Sequence, residues 1–227
     1  MQPYFLPYIG YFQLISAVDK FVVYDNIKYT KKGWINRNRM LLNGKDVTFS
    51  LPLKKDSDYL NVVQRELSTE FDRAKLLNQF KGAYGRAPYF GECLPLLERV
   101  LGFEGNNLFR YIRHALTEIC AHLEIDTDIC ISSSVDIDHD LRGQQKVLAL
   151  CKSACAKTYV NPIGGTDLYS RDDFGECGLD LKFIKSKPLE YSQFGKPFVP
   201  CLSIVDVLMF NSLDTIKIFI TNNYDLI

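Results

Sequence analysis

The sequence predicts an α/β protein in which a mostly parallel sheet is joined by a β-hairpin and a helical lobe, as a single domain over residues 1–227. Three observations carry this. Short apolar runs of strand length alternate with segments of helical period; Asn43-Gly44 separates two apolar runs; and residues 71–123 read as helical almost throughout. With 227 residues and 47% hydrophobic content, the chain can bury a sizeable core.

Taken in order, Gln2–Phe5 reads as the end of a first strand. Pro7 suits the first helical position, where its missing donor would go unpaired anyway. The spacing then predicts a helix from about Tyr8 to Ala17, with Tyr8, Phe12 and Ile15 on one face and Tyr11 and Leu14 beside them. Gly10 lies in its first turn, where the lack of a Cβ lets a backbone or a ligand come close. Lys20–Tyr24 has the length and composition of a buried strand and ends in Asp25. Strand, helix and strand make a βαβ unit of Rossmann-like type. In such sheets ligands bind beyond the carboxyl ends of the strands, where Tyr4–Gly10 and Asp25 fall.

Asn26–Asn38 carries Lys28, Lys31, Lys32 and Arg37 with no acid among them, so it is either an anion site or a solvated loop. A charge run alone reads as solvated. Here, though, it comes with Trp34, the only tryptophan, which offers a stacking plane. Arg37 offers a bidentate fork, and Asn36 and Asn38 both donate and accept. That set suits a nucleotide or a sugar.

Met40–Leu42, the Asn43-Gly44 turn, and Val47, Phe49, Leu51 and Leu53 in alternation predict a hairpin that holds Asn36–Asn38 at one end. Helices are predicted at Phe71–Tyr84, Glu92–Leu101 and Asn106–Leu123. Tyr84, Tyr89 and Phe90 flank the Ala87-Pro88 break and are candidates to add rings to a site. A strand over Ile129–Ser134 ends in three serines, which either coordinate an anion or turn the chain. A helix follows from Leu141 to about Ala154. The strand Thr158–Val160 leads to Asn161, Gly164 and Gly165; paired glycines allow close backbone approach, but neither a phosphate loop nor GxGxxG is present. Leu179–Ile184 reads as another strand. Ser203 with Asp206 reads as a capping-box start for a helix to Phe210, and Asn211–Asn222 as the final helix.

Lys plus Arg equal Asp plus Glu at 27 each, so no global field points to nucleic acid or membrane. No apolar run approaches the roughly 20 residues that span a bilayer, and no leader-like segment precedes the core, so a cytoplasmic location is expected. Seven scattered cysteines argue against a secreted disulfide framework. Cys151 and Cys155 are four apart on a predicted helix, but His114, His122 and His139 form no matching pattern; no metal motif is evident, and the cofactor is unknown.

The motifs MQPYFLPYIGYFQLI, VYDNIKY, KKGWINRNR, APYF, SSS, YVNPIGGTDLY and LSIVDVLMFN occur in the order and spacing of the WbqC-like family, which the chain resembles over essentially its whole length. Family members are encoded among genes for O-antigen and other surface polysaccharides, and one has been proposed to be a glycine transferase. They often carry a few residues ahead of the equivalent of Met1, completing the first strand. A fold-level analogy adds that Tyr8-Ile9-Gly10-Tyr11 is similar in position to the HxGH signature of nucleotidylyltransferases and the HUP-like proteins related to them, and Ser132–Ser134 to their late serine motif. Tyrosines replace both histidines, which argues that nucleotidyl transfer was lost even if a nucleotide pocket remains.

The resemblance implies acyl or aminoacyl transfer, glycine-transferase-like, from an unknown donor onto a nucleotide-linked sugar. Asp25 is the candidate base, because a carboxylate closing a buried strand can be tuned to take a proton; the rival reading has it accepting loop amides. Lys31, Lys32 and Arg37 would hold phosphate or stabilise an oxyanion. Substrate would meet Gln2, Tyr4, Tyr8, Gly10, Tyr11, Trp34, Asn36, Asn38, Ser133, Asn161, Gly164 and Gly165. Tyr8, Gly10, Asp25, Trp34, Asn36, Arg37, Asn161 and Gly164 are expected to line one cleft. No nucleophile with a base is identified, so direct transfer is preferred. The alternatives are a noncatalytic nucleotide-sugar-binding protein and a nucleotidylyltransferase-like enzyme.

Overall fold

In the computed structural model, which describes residues 1–227, the chain enters its first helix through a tightly held loop. Leu6 sits at φ +46°, in the left-handed region that a branched side chain rarely adopts. The surroundings fix it there: the Leu6 carbonyl accepts from Asn38 Nδ2 at 2.7 Å and Ser203 Oγ at 2.8 Å, and Phe5 N donates to the Ile35 carbonyl at 2.9 Å. Helix α1 then spans Ile9–Ser16 with Tyr8 as its N-cap. Every residue from Ile9 to Ile15 is buried, so α1 is an interior helix, and solvent reaches it only at its ends, at the Tyr8 ring and at Ser16.

Strand β1 (Lys20–Val23) pairs in parallel with β4 (Asp128–Ile131), which sets Asp25 beside the serines that follow β4. Strands β2 (Arg37–Leu42) and β3 (Lys45–Ser50) form the expected hairpin; Asn43 and Gly44 both take positive φ, as a two-residue turn requires when it must match the twist of its strands. Strand β5 (Thr158–Pro162) pairs in parallel with β6 (Asp180–Ser186), and β7 (Tyr224–Leu226) adds an antiparallel edge to β6. The result is a mixed α/β protein with small parallel and antiparallel sheets, and the parallel pairs do not join into one sheet.

Between β1 and β5 lies a cavity of about 630 Å³, lined mainly by apolar side chains, among them Leu14, Phe21, Val147, Leu150 and Val160. Met1 occupies one end. Its amine donates to the Val22 carbonyl at 2.6 Å and its carbonyl accepts from Tyr24 N at 2.8 Å, the alternation of a parallel ladder. The strand end expected over Gln2–Phe5 is thus confined to Met1. Pro3 and Pro7 cannot donate to a ladder and Leu6 turns the chain away.

Helices α2 (Arg73–Tyr84), α3 (Phe90–Leu101) and α4 (Leu108–His122) share one core with α1, the hairpin, α7 (Ile204–Phe210) and α8 (Leu213–Asn222). Helices α5 (Gly143–Ser153) and α6 (Arg171–Glu176) pack a smaller cluster, centred on Phe174, against β6. No helix is long and apolar enough to cross a membrane.

Two local expectations are corrected by packing. Tyr84 is fully buried; its hydroxyl donates to Asp206 Oδ1 and accepts from Leu41 N, both at 2.9 Å, so its ring belongs to the core and not to a surface site. Asp206 does not close a capping box. Ser203 caps α7 by accepting from Val205 N, while Ser203 N bonds the Arg39 carbonyl, and the Asp206 carboxylate turns inward to meet Tyr84, Tyr191 and Gln193.

Candidate functional site at the strand ends and the first long loop

At the carboxyl end of β1, Asp25 is only 3% exposed. Oδ1 accepts from Ser132 Oγ at 2.9 Å and Ser133 N at 3.0 Å, and Oδ2 accepts from Ser133 Oγ at 2.6 Å. Three of the roughly four acceptor directions of a carboxylate are therefore filled by the turn after β4. Ser133 itself is exposed, so its hydroxyl is the contact between Asp25 and the surface.

Ser132 Oγ also lies 2.7 Å from the Asn26 amide, whose other end is 3.0 Å from His139 Nδ1. The single Ser132 hydroxyl proton faces both Asp25 Oδ1 and Asn26 Oδ1, and Asn26 Nδ2 points at His139 Nδ1, which accepts from it. Asn26 and His139 carried no local sequence signal; a chain separation of 113 residues hid their pairing.

The first long loop folds back on itself. Residues 25–29 run antiparallel to 60–63, through Val63 N to the Asp25 carbonyl, Val62 N to the Ile27 carbonyl and Tyr29 N to the Leu60 carbonyl. This pairing brings in Arg65, only 4% exposed, a residue with no local signal pointing to this place. Its guanidinium lies 5.0 Å from the Tyr29 ring centre and donates to the Ser57 and Lys54 carbonyls. The Tyr29 hydroxyl donates to Asn36 Oδ1 at 2.8 Å. Burial raises its pKa, while the neighbouring charges of Arg65, Arg37 and Lys31 pull it back down. Three cations thus act on one phenol, with Arg65 placed against its ring.

Trp34 is 47% exposed, with the Arg37 and Arg39 guanidinium carbons 6.0 and 5.6 Å from its ring centre. Arg37 spends Nε on the Gly33 carbonyl at 2.8 Å, and Lys31 pairs with Asp58 at 2.6 Å, an acid supplied from outside the loop. Lys32 stands exposed. Asn36 Nδ2 donates to the Leu51 carbonyl and Asn38 Nδ2 to that of Leu6, both at 2.7 Å, so both amides brace the chain itself.

The remaining candidates form further small groups. The Tyr11 hydroxyl donates to the Gln2 carbonyl at 2.9 Å and the Tyr4 hydroxyl to Gln2 Oε1 at 3.1 Å. At Gly10 a Cβ would strike the Tyr8 ring, so the glycine makes room for that ring. At Gly165 a Cβ would collide with the Asn161 amide, while Gly164 faces open space. Asn161 Oδ1 accepts from the Tyr159 hydroxyl at 3.2 Å, which also lies 3.3 Å from that of Tyr169. Burial pushes the Tyr159 phenol far above its ordinary range and the Tyr24 phenol up to about 12. The cavity is bordered by Tyr24, Tyr159 and Asn161, and not by Asp25, Tyr8, Trp34, Asn36 or Arg37. Of the residues expected in one cleft, Asn161 borders this cavity, and Tyr24 on its wall is the chain neighbour of Asp25.

These features define a mixed α/β protein with a carboxylate–serine junction at its strand ends and a cation-rich loop carrying an exposed indole. Residues 2–218 match the model of the WbqC-like protein family, and the chain belongs to that family. It is 28% identical over 211 residues to Rv1507c of Mycobacterium tuberculosis, described as an uncharacterized protein, a match covering 92% of this chain and 90% of the relative. No solved structure matches it.

Proposed function

We propose that the protein is an acyl- or aminoacyl-transferase acting on a nucleotide-linked sugar in surface-polysaccharide (O-antigen) biosynthesis. In this reading it is a single domain with residues 71–123 as a helical lobe, and its two parallel strand pairs, β1–β4 and β5–β6, are halves of a Rossmann-like, HUP-like arrangement. The observation that supports it best is the cluster of Arg37, Lys31 and Arg65 around Tyr29 beside the exposed Trp34 ring. Guanidinium forks suit a diphosphate, and an indole face suits a base or a sugar.

In the transfer step, the acceptor amine or hydroxyl attacks the acyl carbonyl of the donor. Because Asp25 is buried, the acceptor's proton passes to Ser133 Oγ while the Ser133 proton moves to Asp25 Oδ2, 2.6 Å away. The proton returns by the same route to the departing group, so Ser133 relays it without forming a covalent bond. Lys31, Lys32 and Arg37 hold the phosphates of the acceptor.

Titrating nucleotide sugars against the fluorescence of Trp34, the only tryptophan, tests the binding half. Saturable quenching, weakened by Arg37→Lys, is expected; a flat response to every nucleotide sugar sinks the reading. A panel of acyl donors with mass detection of the product tests transfer. The filled acceptor directions of Asp25 favour one rival, a noncatalytic nucleotide-sugar-binding protein, which would bind and never transfer.

A further inference from the structure

Tyr8, at the start of α1, and Trp34, in the cation-rich loop, are large rings that the fold leaves open, 41% and 47% exposed, and the backbone holds their segments side by side. Phe5 N donates to the Ile35 carbonyl, Asn38 Nδ2 and Ser203 Oγ both donate to that of Leu6, and Ile204 N donates to that of Pro7. Arg39 links the two rings. Its guanidinium carbon lies 5.6 Å from the Trp34 ring centre, and Nη2 donates at 3.1 Å to the Cys201 carbonyl. Burial raises the Tyr8 pKa and the nearby Cys201 thiol adds to the rise, which sets Cys201 beside Tyr8.

The two arginines at Trp34 differ in what they leave free. Arg37 commits only Nε, to the Gly33 carbonyl, and keeps both terminal nitrogens without a protein partner. Arg39 is matched by Asp46, whose Oδ2 accepts from Nη1 at 3.0 Å. Uncommitted charge draws phosphate, whereas paired charge leaves a polar floor with little net field, suited to a neutral ring bearing hydroxyls. Neither the Trp34 indole N–H nor the Tyr8 hydroxyl bonds within the protein, so each exposed ring offers a polar tip as well as a face. Gly10 sets the Tyr8 ring in place: the nearest neighbours of a Cβ there would be Tyr8 Cε2, Cζ and the hydroxyl oxygen.

We infer that Tyr8 recognises the sugar, with the sugar ring over the Asp46-paired Arg39 between the Tyr8 and Trp34 rings and the diphosphate on Arg37. This rests on the nucleotide-sugar reading above and adds to it where the sugar sits and which residue selects it.

The test measures Trp34 quenching in the full chain by UDP, GDP and dTDP and by a set of sugar conjugates of each. With the parent, at least one conjugate should bind roughly fivefold or more tighter than its own sugar-free diphosphate. Tyr8→Ala should remove that advantage and leave the affinity for the sugar-free diphosphate unchanged, while Tyr8→Phe, which keeps the ring, should retain most of it. Gly10→Ala should reproduce the effect of Tyr8→Ala with the tyrosine still present, because the new methyl displaces the ring, and should melt no lower than the parent, since alanine favours a helix over glycine. The inference is overturned if diphosphates bind but no conjugate binds more tightly, if Tyr8→Ala weakens diphosphate and conjugate alike, or if it weakens neither. Failure of both Tyr8→Ala and Gly10→Ala to fold also overturns it, since the ring would then belong to the fold. A flat response to diphosphates and conjugates together would sink the nucleotide-sugar reading itself, so binding of the sugar-free diphosphates tells the two failures apart.

Discussion

Two carboxylates, Asp25 and Asp206, are buried to a similar depth, lack a cationic partner and accept hydrogen bonds from hydroxyls, yet they are built for different ends. Asp206 draws its three donors from two separate places: Tyr84 on α2 at 2.9 Å, and Tyr191 at 2.7 Å and Gln193 at 2.8 Å in the segment before α7. Tyr84 is enclosed by the core and Tyr191 and Gln193 are half-buried; burial raises the Asp206 pKa despite the opposing hydrogen bonds from Tyr191, Gln193 and Tyr84. Asp25 draws its donors from one turn, and one of them, the Ser133 hydroxyl, is exposed. A buried acid whose donors tie separate elements together is a keystone of the fold; one whose donor opens to solvent can exchange a proton with a substrate.

The contrast can be broken in four places. Asp206→Ala leaves the Tyr84 and Tyr191 hydroxyls without their acceptor and the Gln193 amide with only the Val199 carbonyl, and should cost about 3 kcal/mol or more of stability in urea unfolding. A loss below about 1 kcal/mol would remove Asp206 from its keystone role. Asp25→Asn should instead leave a folded protein that binds nucleotide sugar but transfers roughly 10²–10⁴ times more slowly. Transfer at the parent rate would show that Asp25 moves no proton. Ser133→Ala, which removes the exposed relay, should slow transfer with only a small change in Tm; an equal loss of stability would make the serine structural.

The smallest effect is in pH dependence. Because the folded protein holds the Asp206 proton more tightly than the unfolded chain, that contribution to stability is complete below the unfolded carboxylate value of about 4 and is lost as pH rises through the raised folded value. Subtracting the unfolding free energy of Asp206→Asn from that of the parent at each pH should therefore give a difference that declines as pH increases. A flat difference would place the Asp206 pKa near its ordinary range.

Local signals in the sequence correspond to local structure. Pro7 and the tight apolar run after it mark α1, Asn43-Gly44 marks the hairpin turn, and the three helices between 71 and 123 fall where their periodicity places them. What was hidden depended on contacts far apart in the chain. Arg65 reaches Tyr29 only because 25–29 pairs with 60–63, Asp206 left its capping box because Tyr84 and Tyr191 offered hydroxyls in the core, and the three-residue β7 is too short to carry a pattern. The candidate residues at the strand ends were visible by type. Their pairing was not: Asn36 and Asn38 turned out to brace the chain itself, since an amide's sequence position does not show whether it faces a ligand or a neighbouring carbonyl.

The placement of Met1 along β1 has a practical consequence for producing the protein. Residues fused ahead of it would have to leave along the cavity between β1 and β5, among Leu14, Val147, Leu150 and Val160. A tag of histidine, glycine and serine would press polar groups into that apolar space. A few Val or Ile residues would instead find unpaired edges of β1 and β5 on either side, with backbone donors and acceptors to match their own. At the other end of the chain Ile227 is 51% exposed but pairs with Phe183, and Leu226 before it lines the same cavity, so a tag there would start from the cavity's rim.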